Sequence, residues 1–218
     1  MDRILIVDDH PLFRDALRLS LTQKPEQLAL TDRGQVQFSS SLEETLTLLK
    51  EDEGVDLVLL DLHLPGNDGF LGLLELRKIY PAIAVLVISG NDEDSVIAKA
   101  RACGAAGFIS KSLPADSILQ AVKTVLLGNE FWPEGKLEAD SELQDIARRI
   151  NELTDQQLRV LRHLQDGRLN KQIAYDLEIS EATVKAHVTA IFRKLNVLNR
   201  TQAVILANKL HVDPPLTV

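Results

Sequence analysis

Ile4-Leu5-Ile6-Val7-Asp8-Asp9-His10-Pro11 is the stretch that decides the fold. Four β-favouring apolar residues run without alternation and stop at two acids. A proline then opens a helical stripe of Leu12, Phe13, Ala16, Leu17, Leu19 and Leu21. A continuous apolar run marks a strand covered on both faces, and proline suits a first helical turn, whose N–H has no partner anyway. The same grammar recurs downstream. Residues 55–60 form an apolar run that stops at Asp61, residues 85–88 one that stops at Ser89-Gly90, and residues 107–110 a short strand that stops at Lys111. A weaker strand lies within residues 28–38, centred on 36–38. Helical patterns follow each strand: from the capping box Ser41-Leu42-Glu43-Glu44 to about residue 50, then 70–79, 94–102 and 114–127. Five strand–helix repeats predict an open, doubly wound α/β domain with five parallel strands over residues 1–128. In such sheets ligands sit beyond the carboxyl ends of the strands, and that is where Asp8, Asp9, Asp61, Ser89 and Lys111 fall.

Three carboxylates and a lysine at neighbouring strand ends predict a chemistry. Packed like charges disfavour one another's ionisation unless a cation neutralises them. A hard divalent ion, Mg²⁺ or Mn²⁺, accepts carboxylate and carbonyl oxygens and keeps positions open for phosphate. Lys111 adds a second positive charge, and the Ser89 hydroxyl can hydrogen-bond a phosphoryl oxygen. The set suits phosphoryl transfer onto a carboxylate, where positioning and charge neutralisation do most of the catalysis. His10 and His63 have no second His or Cys at ligand spacing, so a zinc site is not expected.

Residues 1–128 resemble the receiver domain of two-component response regulators, a flavodoxin-like fold. The resemblance rests on Asp8 and Asp9 after the first strand, Asp61 after the third, Ser89 after the fourth and Lys111 after the fifth. It also rests on the run Asp61-Leu62-His63-Leu64-Pro65-Gly66-Asn67-Asp68-Gly69. It implies that Asp61 is the phosphoacceptor. Asp8, Asp9, Asp61 and the His63 backbone carbonyl would hold the metal, with Asp8 acting through water. Ser89, Gly90 and Lys111 would bind the phosphoryl group, and Ser89 and Phe108 would form the switch. Three departures from the family pattern stand out. Phe108 occupies a position that is often Tyr. Ser112 follows Lys111 where proline is usual, which leaves the peptide geometry open. The stretch from Asp9 to Asp61 is longer than in most members, which points to an insertion within residues 22–40.

Residues 129–149 carry Gly, Pro and many acids and read as a linker, helical in part because Leu143, Ile146 and Ala147 share a face. From residue 150 the pattern is helical throughout. Thr154-Asp155-Gln156-Gln157 is a second capping box, and helices are expected to about 165, over 170–177, 181–195 and 201–209. Ile173, Ala174, Leu177, Ile179, Val184, Val188, Ile191 and Leu195 are spaced for a small core between two helices joined by a turn of about three residues. That is helix-turn-helix grammar, whose second helix reads the major groove. The stretch resembles the C-terminal domain of the LuxR, NarL and FixJ regulators through Leu153-Thr154, Asn170-Lys171-Gln172-Ile173-Ala174, Ser180 to His187 and Arg193-Lys194-Leu195. Asp155-Gln156-Gln157 departs from the usual Pro-Arg-Glu. The resemblance implies base contacts from Lys185, Ala186 and Thr189. Lys171, Thr183, His187, Arg193 and Lys194 would touch phosphates or brace the helix, and Val204 and Ala207 would form a dimer contact.

Composition agrees with two jobs in one chain. The protein has 218 residues, 45% hydrophobic and 26% charged, the balance of an ordinary globular protein. No apolar run reaches 18 residues, and the N-terminus lacks a signal peptide's pattern, so a cytoplasmic protein without a membrane span is expected. The lone Cys103 can form no internal disulfide. Residues 1–128 hold 12 basic and 19 acidic side chains, 129–149 hold 3 and 6, and 150–218 hold 9 and 7. An acidic front and a slightly basic back fit separate partners. The expected plan is a receiver over 1–128, a linker over 129–149, a DNA-binding domain over 150–212 and a tail over 213–218. The expected protein is a transcription factor that is not an enzyme beyond its own phosphorylation and dephosphorylation. Its partners would be a histidine kinase, double-stranded DNA and a second copy of itself, with no membrane. The kinase, signal, promoters, sign of regulation and any autoinhibition are not written in the sequence. The rival reading is a Mg²⁺-dependent phosphotransferase or phosphatase with an aspartate nucleophile. Against it, Asp61-x-His63 lacks the second Asp of the haloacid dehalogenase phosphatases, and a helix-turn-helix has no place there.

Overall fold

Strands β1 (Ile4–Val7), β2 (Val36–Ser39), β3 (Leu57–Asp61), β4 (Ala84–Ser89) and β5 (Gly107–Ser110) form one parallel sheet in the order β2-β1-β3-β4-β5. The computed structural model describes residues 3–23, 36–52, 54–64, 69–135 and 140–211. Register is set by Ile4 opposite Val36 and Leu57, Leu57 opposite Ala84, and Leu86 opposite Gly107. Among the described residues, five helices cover the sheet: α1 (Pro11–Gln23), α2 (Leu42–Glu51), α3 (Gly69–Ile79), α4 (Asp94–Ala102) and α5 (Ala115–Leu126). The chain leaves β1 toward β2 and then crosses back to β3, β4 and β5. Right-handed crossovers therefore place α1 and α5 on one face and α2 to α4 on the other.

Alternation along each strand builds both faces. Ile4, Ile6, Leu57, Leu59, Leu86, Ile88 and Ile109 pack against Leu17 and Leu21 of α1 and Ile118, Leu119, Val122 and Val125 of α5. Leu5, Val7, Val58, Leu60, Val85 and Val87 point the other way and are equally buried. Ser41 caps α2 as its sequence requires, accepting a hydrogen bond from Glu44 N. Asp61 belongs to β3 itself, opposite Ile88, so the strand runs one residue further than its apolar run. The peptide after Lys111 is trans.

The expected linker does not begin as one. Phe131 pairs in parallel with Gly107 at the outer edge of β5, with Phe131 N donating to Ala106 O at 3.1 Å and Phe108 N donating to Phe131 O at 2.9 Å. The Arg101 guanidinium lies 4.5 Å from the centre of the Trp132 ring. A Cβ on residue 107 would stand 2.3 Å from the Phe131 carbonyl oxygen, so glycine is what lets the strap close over an edge that would otherwise offer unpaired backbone.

A second compact unit spans Asp140–His211. It begins about ten residues before the expected boundary, because helix α6 (Ser141–Asn151) buries Ile146, Ala147 and Ile150 in that unit's core. Asp140 caps it through Glu142 N and Leu143 N. Helices α7 (Asp155–Gln165), α8 (Asn170–Asp176), α9 (Glu181–Leu195) and α10 (Arg200–Asn208) follow. The Thr154–Gln157 capping box forms in both directions. Leu158, Leu161, Leu164, Ile173, Val184, Ile191, Leu195, Ala203, Ala207 and Leu210 close the core. The expected insertion within 22–40, the loop at 65–68, part of the linker and the tail at 213–218 lie wholly or partly outside the described residues. No helix among the described residues is long and apolar enough to cross a membrane.

Candidate functional site

Three strand ends converge where the connections of β1 and β3 diverge, the switch point at which doubly wound sheets bind ligands. The side chains of Asp8, just past β1, and Asp61, the last residue of β3, are fully buried. Lys111, just past β5, places its Nζ 2.7 Å from Oδ2 of each. Backbone amides take up the other oxygens: His10 N donates to Asp8 Oδ1 at 2.7 Å and His63 N donates to Asp61 Oδ1 at 3.2 Å. Burial alone would push the Lys111 ammonium toward neutrality. Its contacts with Asp61 and Asp8 outweigh that and hold its pKa above the ordinary lysine value of 10.5. The Phe13 ring lies 4.8 Å from the same Nζ, a cation–π contact that also shields it.

The two residues expected to form a switch are Ser89 and Phe108. Ser89 is fully buried at the end of β4. Its Oγ accepts from Asn91 N at 3.1 Å, and its carbonyl accepts from Lys111 N at 2.7 Å. Gly90 is exposed, and a side chain there would meet nothing. The Phe108 ring is fully buried and turned inward, two residues after the strap contact at Ala106 and hydrogen-bonded to it through its own backbone.

One carboxylate oxygen each from Asp8, Asp9 and Asp61 and a ring nitrogen of His10 lie within 4.8 Å of one another. One ammonium faces three carboxylates, and the buried Oδ1 of Asp9 accepts no hydrogen bond. This donor set fits a hard divalent ion. Sequence reasoning set His10 aside, although its place directly after the acid pair was a signal. The structure brings its ring into the cluster.

In the second unit, α8 and α9 are joined by a turn through Leu177, Glu178 and Ile179. Glu178 adopts φ 53° there, a left-handed conformation in which side chains are strained. Ser180 caps α9 by accepting from Thr183 N at 3.0 Å. Val184, Ile191 and Leu195 face inward, while Lys171, Thr183, Lys185, Ala186, Thr189 and Arg193 are exposed and His187 is half-buried. Lys185 reaches Glu181 one turn back at 3.3 Å, an exposed pair worth little. Lys194 is a brace: its Nζ donates to Glu152 O and Gln157 Oε1, both at 2.8 Å. One expectation is corrected. Ala207 is fully buried in the unit's own core, because α10 turns that face onto α7, so it offers no surface to a partner. Ile205, 57% exposed, carries the outward apolar surface of α10, with Val204 half-buried.

Two family models match the chain: the response regulator receiver domain over residues 4–123, and the bacterial regulatory proteins of the luxR family over residues 151–207. The glycerol metabolism activator of Pseudomonas putida is 38% identical, with 96% of each chain covered. The nitrate/nitrite response regulator protein NarP of Escherichia coli K12 is 31% identical over 94% of this chain and 93% of that one. Among solved structures, a LuxR family DNA-binding response regulator from Silicibacter pomeroyi is 33% identical, covering 62% of this chain and 98% of that one with a TM-score of 0.52. The RcsB response regulator of Salmonella typhimurium, 21% identical, shares the fold over 95% of this chain and 98% of its own, with a TM-score of 0.53. A receiver unit with its acid cluster intact, followed by a luxR-type helix-turn-helix, makes the chain a member of the LuxR/NarL family of response regulators, DNA-binding regulators of transcription.

Proposed function

We propose that Asp61 accepts a phosphoryl group from a partner histidine kinase and that its phosphorylation controls sequence-specific DNA binding by α9. The observation that carries this reading is the Lys111 ammonium, 2.7 Å from both Asp61 Oδ2 and Asp8 Oδ2 at the switch point of the sheet. An Asp61 oxygen attacks phosphorus, the P–O bond forms, and the P–N bond to the donor's imidazole breaks, the electron pair leaving with the imidazole. Lys111 moves from the carboxylates to a phosphoryl oxygen. Ser89 Oγ, held between β4 and Asn91, donates to another, and the backbone at Gly90 gives that group room. Asp8, Asp9, Asp61 and the His63 carbonyl would hold Mg²⁺ (or Mn²⁺), which would neutralise the carboxylates and the incoming phosphate. Loss of the Ser89 and Lys111 contacts in their present form alters the end of β5, where Phe108 lies buried. Hydrolysis of the acyl phosphate restores the first state, so the only catalysis is on the chain's own modification.

In the second unit, Lys185, Ala186 and Thr189 present the base-reading face of α9, while Lys171, Thr183, His187 and Arg193 contact phosphates. Lys194 fixes the angle of α9 against the α6–α7 turn. Ser180 keeps the helix N-terminus ordered at the groove. The protein acts in the cytoplasm, where its DNA and kinase are, and binds DNA as a dimer. Labelling with acetyl phosphate tests the reading. Parent protein with Mg²⁺ takes up one phosphoryl group, and chelation abolishes uptake. Asp61→Asn takes up none, and equal labelling of that variant would place the acceptor elsewhere.

A further inference from the structure

We propose that Arg149 is a positioning residue for DNA reading: it forms one half of a reciprocal clasp that joins the C-termini of α6 and α9 and sets the tilt of the recognition helix. This rests on the reading of α9 given above and deepens it. The last carbonyls of a helix have no partner within it and carry the negative end of its dipole. At the end of α9, Leu195 O accepts from Arg149 Nη1 of α6 at 3.1 Å. At the end of α6, Glu152 O accepts from Lys194 Nζ of α9 at 2.8 Å. Each helix thus caps the other with a cation. A second contact aims the Arg149 fork: its Nη2 lies 2.5 Å from Asp145 Oδ2, one turn back on α6. The anchor is firm, because α6 buries Ile146, Ala147 and Ile150 in the unit's core. Arg149 also stands before the luxR-type stretch, which begins at residue 151.

The clasp lies away from the exposed face that carries Lys185, Ala186 and Thr189, so it acts on reading only through where it holds the helix. The other end of α9 is held by the Ser180 cap. With the clasp open, Val184, Ile191 and Leu195 still keep α9 on the core, and the change is a tilt about that cap rather than a detachment. Displacement then grows along the axis. At a rise of about 1.5 Å per residue, Thr189 stands about 13.5 Å from Ser180 and Lys185 about 7.5 Å, so Thr189 moves nearly twice as far. The later base contact is the one that loosens.

The test uses the full chain: selection of a binding site from random duplexes, then titration of the selected fragment and of an unrelated duplex over a range of salt. Arg149→Met keeps the stem and removes the fork. It should lower the ratio of specific to non-specific affinity about tenfold, the loss of one base-pair preference. Preference should relax more at the step read by Thr189 than at the step read by Lys185, with non-specific affinity and salt slope unchanged. Arg149→Lys keeps a donor for Leu195 O and should restore most of the ratio. Equal weakening on both duplexes would make Arg149 a support of folding alone and rule out positioning. A salt slope lower by about one unit would make it a phosphate contact instead. Should Arg149→Met fail to fold, Asp145→Ala carries the test, since it removes the carboxylate that aims the fork and leaves α9 untouched. The same pattern at smaller amplitude supports the clasp, and a parental ratio overturns it. If the parent selects a site and folded Arg149→Met keeps the parental ratio, the clasp fails while the reading of α9 stands. If the parent selects no sequence, both fail.

Discussion

At the scale of single residues, Lys111 is the hinge between stability and chemistry. It is the cation that allows two fully buried carboxylates to share one strand-end cluster, and under the proposed phosphorylation it is also the group that must let go of them. Removing one partner of a buried ion pair leaves the other charge uncompensated. Lys111→Met should therefore destabilise the ion-free receiver by roughly 3 kcal/mol in urea unfolding, and Mg²⁺ should recover part of the loss by replacing the missing charge. The pH dependence has a definite sign. The folded-state pKa of Lys111 is raised, so its contribution is complete below the ordinary lysine value of 10.5 and is lost as pH rises through the higher folded value. The gap between parent and Lys111→Met should stay constant from neutral pH to about 9 and close only in strong alkali. A gap that closes between pH 6 and 8 would assign it to another group. Cys103 bears no such role: burial drives its thiol well above the ordinary range, which leaves it unreactive and structural.

At the scale of elements, the strap at Phe131 and the recognition helix make separate predictions. The strap closes only because residue 107 lacks a side chain, and its backbone bond to Phe108 joins the edge of β5 to that buried ring. Gly107→Ala brings a methyl to 2.3 Å from a backbone oxygen, which cannot yield as a flexible side chain could. The strap should detach. The protein's single tryptophan, Trp132, should lose its Arg101 stack and shift its emission to longer wavelength, with new protease cleavage near it. An unchanged spectrum would mean that the edge tolerates the methyl. On α9, Lys185 is exposed in the first turns, whereas Lys171 sits at the start of α8. Lys185→Ala should cost about 1–3 kcal/mol on the preferred sequence and relax preference at one base step. Lys171→Ala should weaken all sequences alike and lower the salt slope by about one unit. Binding-site selection combined with salt titration separates the two, and identical behaviour would erase the distinction between reader and positioner.

At the scale of the molecule, what was legible in the sequence followed the strength of its periodicity. β1, β3 and β4 are continuous apolar runs that stop at Asp8, Asp61 and Ser89, so the sheet, the acid cluster and the position of Lys111 could all be placed from the letters alone. The caps at Ser41 and Thr154 marked helix starts because a cap is a local hydrogen bond, although only Thr154 completes its box in both directions. Three features could not be read, each because it depends on contacts distant in sequence. The strap at Phe131 is one isolated bridge, with no alternation to announce it. α6 belongs to the second unit because Ile146, Ala147 and Ile150 find a core whose other walls lie beyond residue 153. The burial of Ala207 follows from which face of α10 meets α7, and a short helix with apolar residues all round does not declare that face. The last point reshapes the dimer prediction. Ala207 is inside, so the outward surface of α10 is Ile205 with half-buried Val204. A 57% exposed isoleucine is unremarkable by itself; on the last helix of a small DNA-binding unit it becomes a candidate seam, because one such module has too small an interface for tight specific binding. Two modules held together gain through effective concentration, and two-fold symmetry then demands inverted half-sites at a spacing set by the protein. Ile205→Glu puts a charge into that seam without entering the core, so the unit should keep its helical circular dichroism and melting temperature. Val204→Glu should act in the same direction, whereas Ala207→Glu should unfold the unit outright. Binding of Ile205→Glu to a fragment with two half-sites should fall by about tenfold or more, and binding to a single half-site should change little. If the folded variant keeps parental cooperativity, α10 is not the seam, and the receiver unit carries the pairing.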